Sequence, residues 1–443
     1  MTEVLFWANC LLAGVMLADG LQRREGYMEV PFLSAAMYVV WFLPQAAALL
    51  DDSTLPEWGL ARVLAMSLLC LGAIWLGWRK GIIGAPKRVQ LLEVPVAGLV
   101  WPTLVLTLFA AVLHILIGSQ PDEVRVGRVW TGPITIMAFF SSVGSISLVL
   151  SLAMVLRRAT IATVAIFAIN LMIYAPEVLI YFRRASTFQL VFGCLIALYF
   201  VRGWTISRRG LVVAACLGFF FINGVGHLRA LGGGYALNAS GKLETRIPTL
   251  QEIMDIDWLS VADGFEKSRS ISETRNAVVF MDVIAEAGSF TLGGEFFNSI
   301  LRNYIPGQIV GFDVKSNMKV GADLEEISLA YAGYEKQIGS TTTGFTHPYR
   351  DWWYLGGAAF WIQAYFMGKF WKFARSGNIK YYAAYAATLG MSIHSLTHFG
   401  YYWFVKNIFI ISVLWGVFRL ATEMNSIRRS ARPLSRRELK GVA

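Results

Sequence analysis

The feature that most restricts this chain is the recurrence of long apolar runs, each near the roughly 20 residues a helix needs to cross a bilayer. Eleven can be placed, at about 4–19, 30–50, 59–78, 94–118, 131–156, 159–181, 186–202, 210–227, 352–373, 380–399 and 401–421. They are uniformly apolar rather than alternating, which excludes a transmembrane β-barrel. With 56% hydrophobic residues, 15% charged and a mean hydropathy of +0.53, the chain exceeds what a soluble core could bury. The expected fold is therefore an all-α polytopic membrane protein with about eleven transmembrane helices. Glu3 stands where a cleaved leader would carry basic residues, so the first run reads as a retained helix. Cys10, Cys70, Cys194 and Cys216 all lie inside apolar runs without CxxC spacing. They read as small core hydrophobes, with no disulfide, thiol chemistry or cysteine metal site expected.

A formal net charge of +10 would suggest nucleic acid in a soluble protein; here it must first be sorted by membrane side. Lys and Arg recur in alternate connections: Arg23-Arg24, then Arg79 to Arg88, then Arg157-Arg158, then Arg202 to Arg209, then Lys372 to Lys380, and again in the tail. The intervening connections carry the acidic Asp51-Asp52 and Glu57 and the mixed Pro121-Asp122-Glu123 loop. The positive-inside rule makes the first set cytoplasmic. The N-terminus and the long polar interval from Gly226 to Asp351 then lie outside, and no nucleic-acid partner is implied. Arg183-Arg184 breaks the pattern, as an interfacial anchor or as a pyrophosphate contact. The division expected is eight spans in 1–227, an extracytoplasmic helical loop in 228–351, three spans in 352–421 and a basic cytoplasmic tail in 422–443.

Within the loop, Leu250, Ile253, Met254, Trp258 and Val261 recur at helical spacing and predict an amphipathic helix on the membrane or the bundle. Ser270-Ile271-Ser272-Glu273 is a capping-box pattern opening a helix through about Glu286. A third helix is expected from Gly294 to Tyr304, stopped by Pro306. The loop should thus be a folded cap.

All five histidines, His114, His227, His347, His394 and His398, fall at or near the outer face, so titratable chemistry belongs there. His394 and His398 share a helix face but lack the glutamate of the zincin motif and a third ligand, so no metal site is expected. His347 is followed by Arg350 and Asp351, with Gly356-Gly357 beyond. A neighbouring guanidinium disfavours the imidazolium and keeps a base available; the alternative is a helix-end role. Arg275, Arg302 and Lys315 lie in or beside predicted helices with apolar neighbours, where a cation suits a phosphate.

Taken together, a late extracytoplasmic loop, a helix followed by Ile305-Pro306 and then Lys315, and Thr341-Thr342-Thr343-Gly344 leading into a glycine-bearing span resemble the O-antigen polymerases, the oligosaccharide repeat-unit polymerases related in architecture to O-antigen ligases. The likeness best covers about Arg275 to Gly368. It departs at Gly307-Gln308, where such polymerases often carry an arginine, and at Asp351, where many carry glutamate; a histidine before the span is more ligase-like. The resemblance implies a GT-C-like, inverting, metal-independent glycosyltransferase of the bacterial inner membrane without a cofactor, its site facing the periplasm. Its donor and acceptor would be undecaprenyl-pyrophosphate-linked oligosaccharides, with a chain-length regulator as a further partner. Arg275, Arg302, Lys315 and Arg350 would bind the pyrophosphate. His347 or Asp351 would accept the proton, with Glu295 and Asp313 as further carboxylates in reach. A lipid-linked sugar flippase is the rival from another class, disfavoured because the spans show few interior polar groups beyond Asn170 and Asn223.

Overall fold

A computed structural model describes residues 1–84, 94–121, 133–181, 183–214, 216–218, 249–256, 273–336 and 340–430. Among these the secondary structure is helical, with no strand. The bundle is formed by α1 (Thr2–Gln22), α2 (Val30–Ala48), α3 (Gly59–Ile82), α4 (Val96–Gly118), α5 (Pro133–Arg157), α6 (Ile161–Leu179) and α7 (Arg184–Arg202). The cap contributes α8 (Glu273–Glu286), α9 (Gly294–Tyr304), α10 (Phe312–Asn317), α11 (Leu324–Ala332) and α12 (Thr346–Trp352). The chain returns to the bundle as α13 (Gly357–Arg375), α14 (Ile379–Thr397) and α15 (Tyr402–Ser430).

Seven described helices are long and apolar enough to cross a membrane: α1 to α6 and α15. The other three expected spans in the described residues are helical too but less apolar or shorter, and the run at 210–227 lies mostly outside them. α13 and α14 carry Gln363, Lys369, Lys372, Lys380 and several tyrosines, and they bury much of that polarity against neighbours instead of showing it to lipid. The span expected from 352 begins at Gly357, because a 3₁₀ turn at Trp353–Gly356 separates it from α12. α15 runs on to Ser430, so the first part of the expected tail is helix; 431–443 lie outside the described residues. Gly294–Tyr304 is helical as expected, and α8 ends at Glu286. Of the amphipathic helix only Leu250–Met254 is described.

Local sequence explains the irregular spans. α2 widens into a π turn at Tyr38–Phe42 just ahead of Pro44, which cannot supply a backbone donor. α5 breaks after Ser141, where the hydroxyls of Ser141, Ser142 and Ser145 donate to carbonyls three residues back, at 2.9, 2.6 and 2.8 Å. Such back-bonding bends helices.

Lipid provides little hydrophobic drive between helices, so close packing and interior polar groups hold the bundle. Gly77 and Gly81 of α3 face the Trp361 and Tyr365 carbonyls of α13, where a Cβ would collide with backbone. Asn9 of α1 donates to the Leu64 carbonyl at 2.9 Å and accepts from Ser67 at 2.9 Å. Asn170 of α6 donates to Thr107 of α4 at 3.0 Å, and Thr107 in turn pairs with Ser147 of α5. Asn170 is thus a packing residue, while Asn223 lies outside the described residues.

The charged connections sort to two ends. Arg79 reaches Asp19, Arg375 reaches Glu25, Arg157 donates to the Gly377 carbonyl and Lys372 to that of Ile83, gathering the basic turns at one end. At the other end Arg62 pairs with Asp282 and Glu286, fastening the cap to α3.

Candidate functional site

The site grows from the way α8 holds the polar link ahead of α12. Asn276, buried on α8, donates to Ser340 Oγ at 2.9 Å and to the Thr341 carbonyl at 2.7 Å, and accepts from the Tyr334 hydroxyl at 2.6 Å. On the other side Thr341 donates to the Thr397 carbonyl at 3.0 Å, and the Gly344 amide donates to that of Leu396 at 2.8 Å. Only glycine fits at 344, since a Cβ would run into the Ser395 and Leu396 carbonyls. The described non-glycine residues with positive φ are Leu292 (49°), Thr343 (61°) and Trp353 (52°), and all three flank the segments described next. Strain of this kind persists where the surrounding structure enforces it, commonly at functional sites.

Four residues of α9 and α12 form one unit. Asp351 is fully buried and caps α9 from outside: its carboxylate accepts from the Glu295 and Phe296 amides at 2.8 and 3.0 Å and from the Thr291 hydroxyl at 2.6 Å. A negative charge there also suits the helix N-terminus. Arg350, 1% exposed, spends its donors on Glu295, on the Ala322 carbonyl at 2.7 Å and on Ser289 at 3.2 and 3.4 Å. Glu295 faces both Arg350 and His347, whose Nδ1 lies 3.1 Å away. Burial works to raise the Glu295 carboxyl, but His347 and Arg350 hold it down at about 2. His347, half-buried, turns Nε2 toward the Thr342 hydroxyl at 3.4 Å. In the tautomer that donates Nδ1–H to this carboxylate, Nε2 carries the lone pair, the arrangement of an oriented general base.

Two of the expected site residues have structural partners here. Arg350 is committed at each of its three nitrogens to Glu295, Ala322 or Ser289, and Asp351 has both oxygens engaged with the start of α9; the two position Glu295 and α9. Arg275 is tied elsewhere, to Asp52 at 2.5 Å and Thr54 at 2.7 Å in the connection before α3. Arg183 pairs with Glu177 at 2.8 Å, as an anchor would. Arg302 and Lys315 do come together: Lys315 donates to the Arg302 carbonyl at 3.3 Å, and burial, Arg302 and Lys319 all push the Lys315 ammonium below its ordinary value. None of these three cations has a carboxylate partner among the described residues.

Ring contacts link the cations to the base. His347 packs 4.4 Å from Phe399, Phe399 lies 5.5 Å from Tyr402, and Tyr402 lies 5.0 Å from His394, which stacks on His398 at 3.8 Å. Arg302 is within electrostatic reach of Tyr402, and Lys406 sits 5.3 Å over the same ring. Among the described residues no three His, Cys, Asp or Glu side chains converge as a metal site. Lys406 escaped the sequence reading, although a cation inside an apolar span is itself a functional signal.

No protein-family model, curated protein or solved structure matches the chain. Its chemistry is therefore read from the geometry. Beside the carboxylates lies an apolar cavity of about 290 Å³ between Phe296, Trp352, Leu355, Ile362, Tyr401 and Phe404. Phe296 and Trp352 directly follow Glu295 and Asp351, so the cavity and the ionic unit share their framework. Burial, with Asp351 and Glu295 next to it, pushes the Tyr401 phenol well above its usual range. Trp352, Trp353 and Leu355 are exposed at this rim, the placement of interfacial aromatic anchors.

Proposed function

We propose that this chain is a bacterial polysaccharide polymerase of the O-antigen type. It would act in the inner membrane with its site toward the periplasm, joining undecaprenyl-pyrophosphate-linked oligosaccharides. The observation that carries the reading is the combination of a base held on a carboxylate, His347 on Glu295, with cations at Arg302, Lys315 and Lys319 that form no ion pair among the described residues, and a nearby apolar cavity. A base, an anion-stabilising group and a greasy slot are what glycosyl transfer from a lipid pyrophosphate requires.

In this reaction the acceptor sugar hydroxyl gives its proton to His347 Nε2. Its oxygen bonds to the anomeric carbon on the face opposite the pyrophosphate, and the bond from that carbon to the pyrophosphate oxygen breaks. The electron pair leaves with the lipid pyrophosphate, and the anomeric configuration inverts. Glu295 stabilises the imidazolium that forms, while the cations meet the charge developing on the leaving group. Guanidinium and ammonium groups neutralise the pyrophosphate, so the reading needs neither metal nor cofactor. The cavity takes the first part of the polyprenyl chain.

The test is purified protein with a lipid-pyrophosphate-linked oligosaccharide. A ladder of longer lipid-linked products supports polymerisation. Transfer only when a different acceptor is supplied would make it a ligase, a reading that His347 before the span favours and that uses the same base and cations. Absence of any transfer, with lipid-linked sugar crossing vesicles instead, would replace both by a flippase.

A further inference from the structure

At the opposite end of the bundle, where the basic connections gather, lies a second cavity of about 460 Å³. It is an open cavity bounded by the end of α1, the turn that follows it and the stretch 205–211 after α7, with Arg24, Ser207 and Arg208 exposed at its rim. Its polar walls are Arg23, Arg24, Tyr27, Thr205, Ser207 and Arg208, and no Asp or Glu lines it. The hydrogen bonding around it is one-sided. The Tyr27 hydroxyl accepts from the Ile206 amide at 2.8 Å and the Ser207 hydroxyl from that of Gly210 at 3.1 Å, so each retains a proton to donate. Arg23 places its Nη2 3.1 Å from both Asp19 and Glu29, yet its Nε is buried without a partner. Arg24, Arg208 and the Thr205 hydroxyl have no partner among the described residues. A pocket that offers donors and positive charge but no carboxylate is complementary to an anion.

We propose that this cavity binds a phosphate-bearing ligand on the face of the membrane opposite the candidate catalytic site. Paired guanidinium forks suit phosphate oxygens better than a single carboxylate, and the three hydroxyls can complete the set. The volume lies within the roughly 300–1,000 Å³ usual for small-molecule sites, so it holds a substituted phosphate rather than a bare ion. Lipid headgroups and soluble phosphate compounds share this chemistry, and the position at the ends of α1 and α7 leaves the cavity open to both.

The experiment uses full-length protein in a phosphate-free maltoside detergent, titrated separately with inorganic pyrophosphate and with short-chain phosphatidic acid, reading thermal unfolding and native mass. All titrations are run in an Arg302→Ala/Lys315→Ala background, so the outcome is independent of the proposed glycosyl-transfer site. Arg24→Gln/Arg208→Gln should raise the Kd about tenfold or more, the loss expected for removed charge-assisted bonds. Arg202→Gln/Arg209→Gln, which removes equal charge from nearby positions outside the lining, should leave it within about twofold. Saturable pyrophosphate binding identifies a soluble phosphate ligand, and binding of phosphatidic acid alone identifies a lipid headgroup. No saturable binding of either, or equal weakening in the two double variants, would overturn the proposal. Tyr27→Phe, which keeps the ring and removes the hydroxyl, should weaken the same ligand by a few-fold without lowering the unfolding temperature of the free protein by a comparable amount.

Discussion

Arg350 and Arg302 belong to adjoining parts of the cap but do opposite things with the same charge. Arg350 is buried, and each of its nitrogens meets a carboxylate, a carbonyl or a hydroxyl. Arg302 is exposed and crowded by Lys315, with no carboxylate among the described residues to compensate it. A paired buried cation determines where things sit and cannot also bind a substrate. A cation left uncompensated among like charges is costly to assemble and is relieved by an incoming anion. The sequence reading grouped both arginines for the pyrophosphate; the fold gives Arg350 structural partners and leaves Arg302 exposed beside Lys315.

The sharpest way to break this contrast is to remove the support. Arg350→Ala leaves buried Glu295 with only His347 as an ionic partner, and breaking a buried pair costs about 3–5 kcal/mol. The expected outcome is a large fall in unfolding temperature in detergent, with activity lost alongside. Glu295→Gln should behave similarly and adds a pH signature. Because the folded Glu295 carboxyl is held at about 2, below its ordinary value, its stabilisation is present above about pH 4.5 and is lost as pH falls toward 2. Acid unfolding of the Gln variant should lack that component.

Next in size come the groups assigned to chemistry. Arg302→Ala should lower kcat about 10²–10³-fold, as for loss of one donor to a developing anion, while stability stays within about 0.5 kcal/mol. His347→Gln should lower kcat by about 10²–10⁴-fold, the usual reach of a general base. If Arg302→Ala unfolds the protein as Arg350→Ala does, the distinction between the two arginines is lost. A smaller effect probes the crowding itself: with Arg302 removed, the Lys315 ammonium should titrate at higher pH than in the wild type, read by NMR of a labelled lysine side chain. No upward movement would mean that Lys315 is depressed by burial and Lys319 without Arg302.

Much of the architecture was readable from residues whose meaning is local. Apolar run length placed the helices, Pro306 stopped α9 after Tyr304, and the turn cations gathered where alternate connections predicted. The site was only half readable, because its roles depend on partners far away in the chain. Glu295 becomes the orienting carboxylate because α9 brings it to His347, 52 residues on, and nothing at position 295 distinguishes it from Asp351. Asp351 becomes a cap because the α9 amides happen to end against it. Lys406 was legible in principle as a charge within a span, but Tyr402, its aromatic neighbour, takes its meaning from Arg302 across the cap.

Arg275 supplies the smallest and most discriminating test, since the resemblance grouped it with Arg302 while the fold ties it to the connection before α3. Its guanidinium meets Asp52 and Thr54, and the Thr54 hydroxyl and amide, together with Arg275, hold the Asp52 carboxyl below its ordinary value. An ion pair of this partly exposed kind contributes about 0.2–1 kcal/mol. Arg275→Ala should therefore lower the unfolding temperature slightly and leave kcat and KM within about twofold of wild type. The stabilisation it removes is present above the ordinary aspartate range and lost as pH falls through the depressed Asp52 value, so wild type and variant should converge in acid. A loss of turnover comparable to Arg302→Ala, at unchanged stability, would return Arg275 to the pyrophosphate and show that the Asp52 pair opens during the reaction.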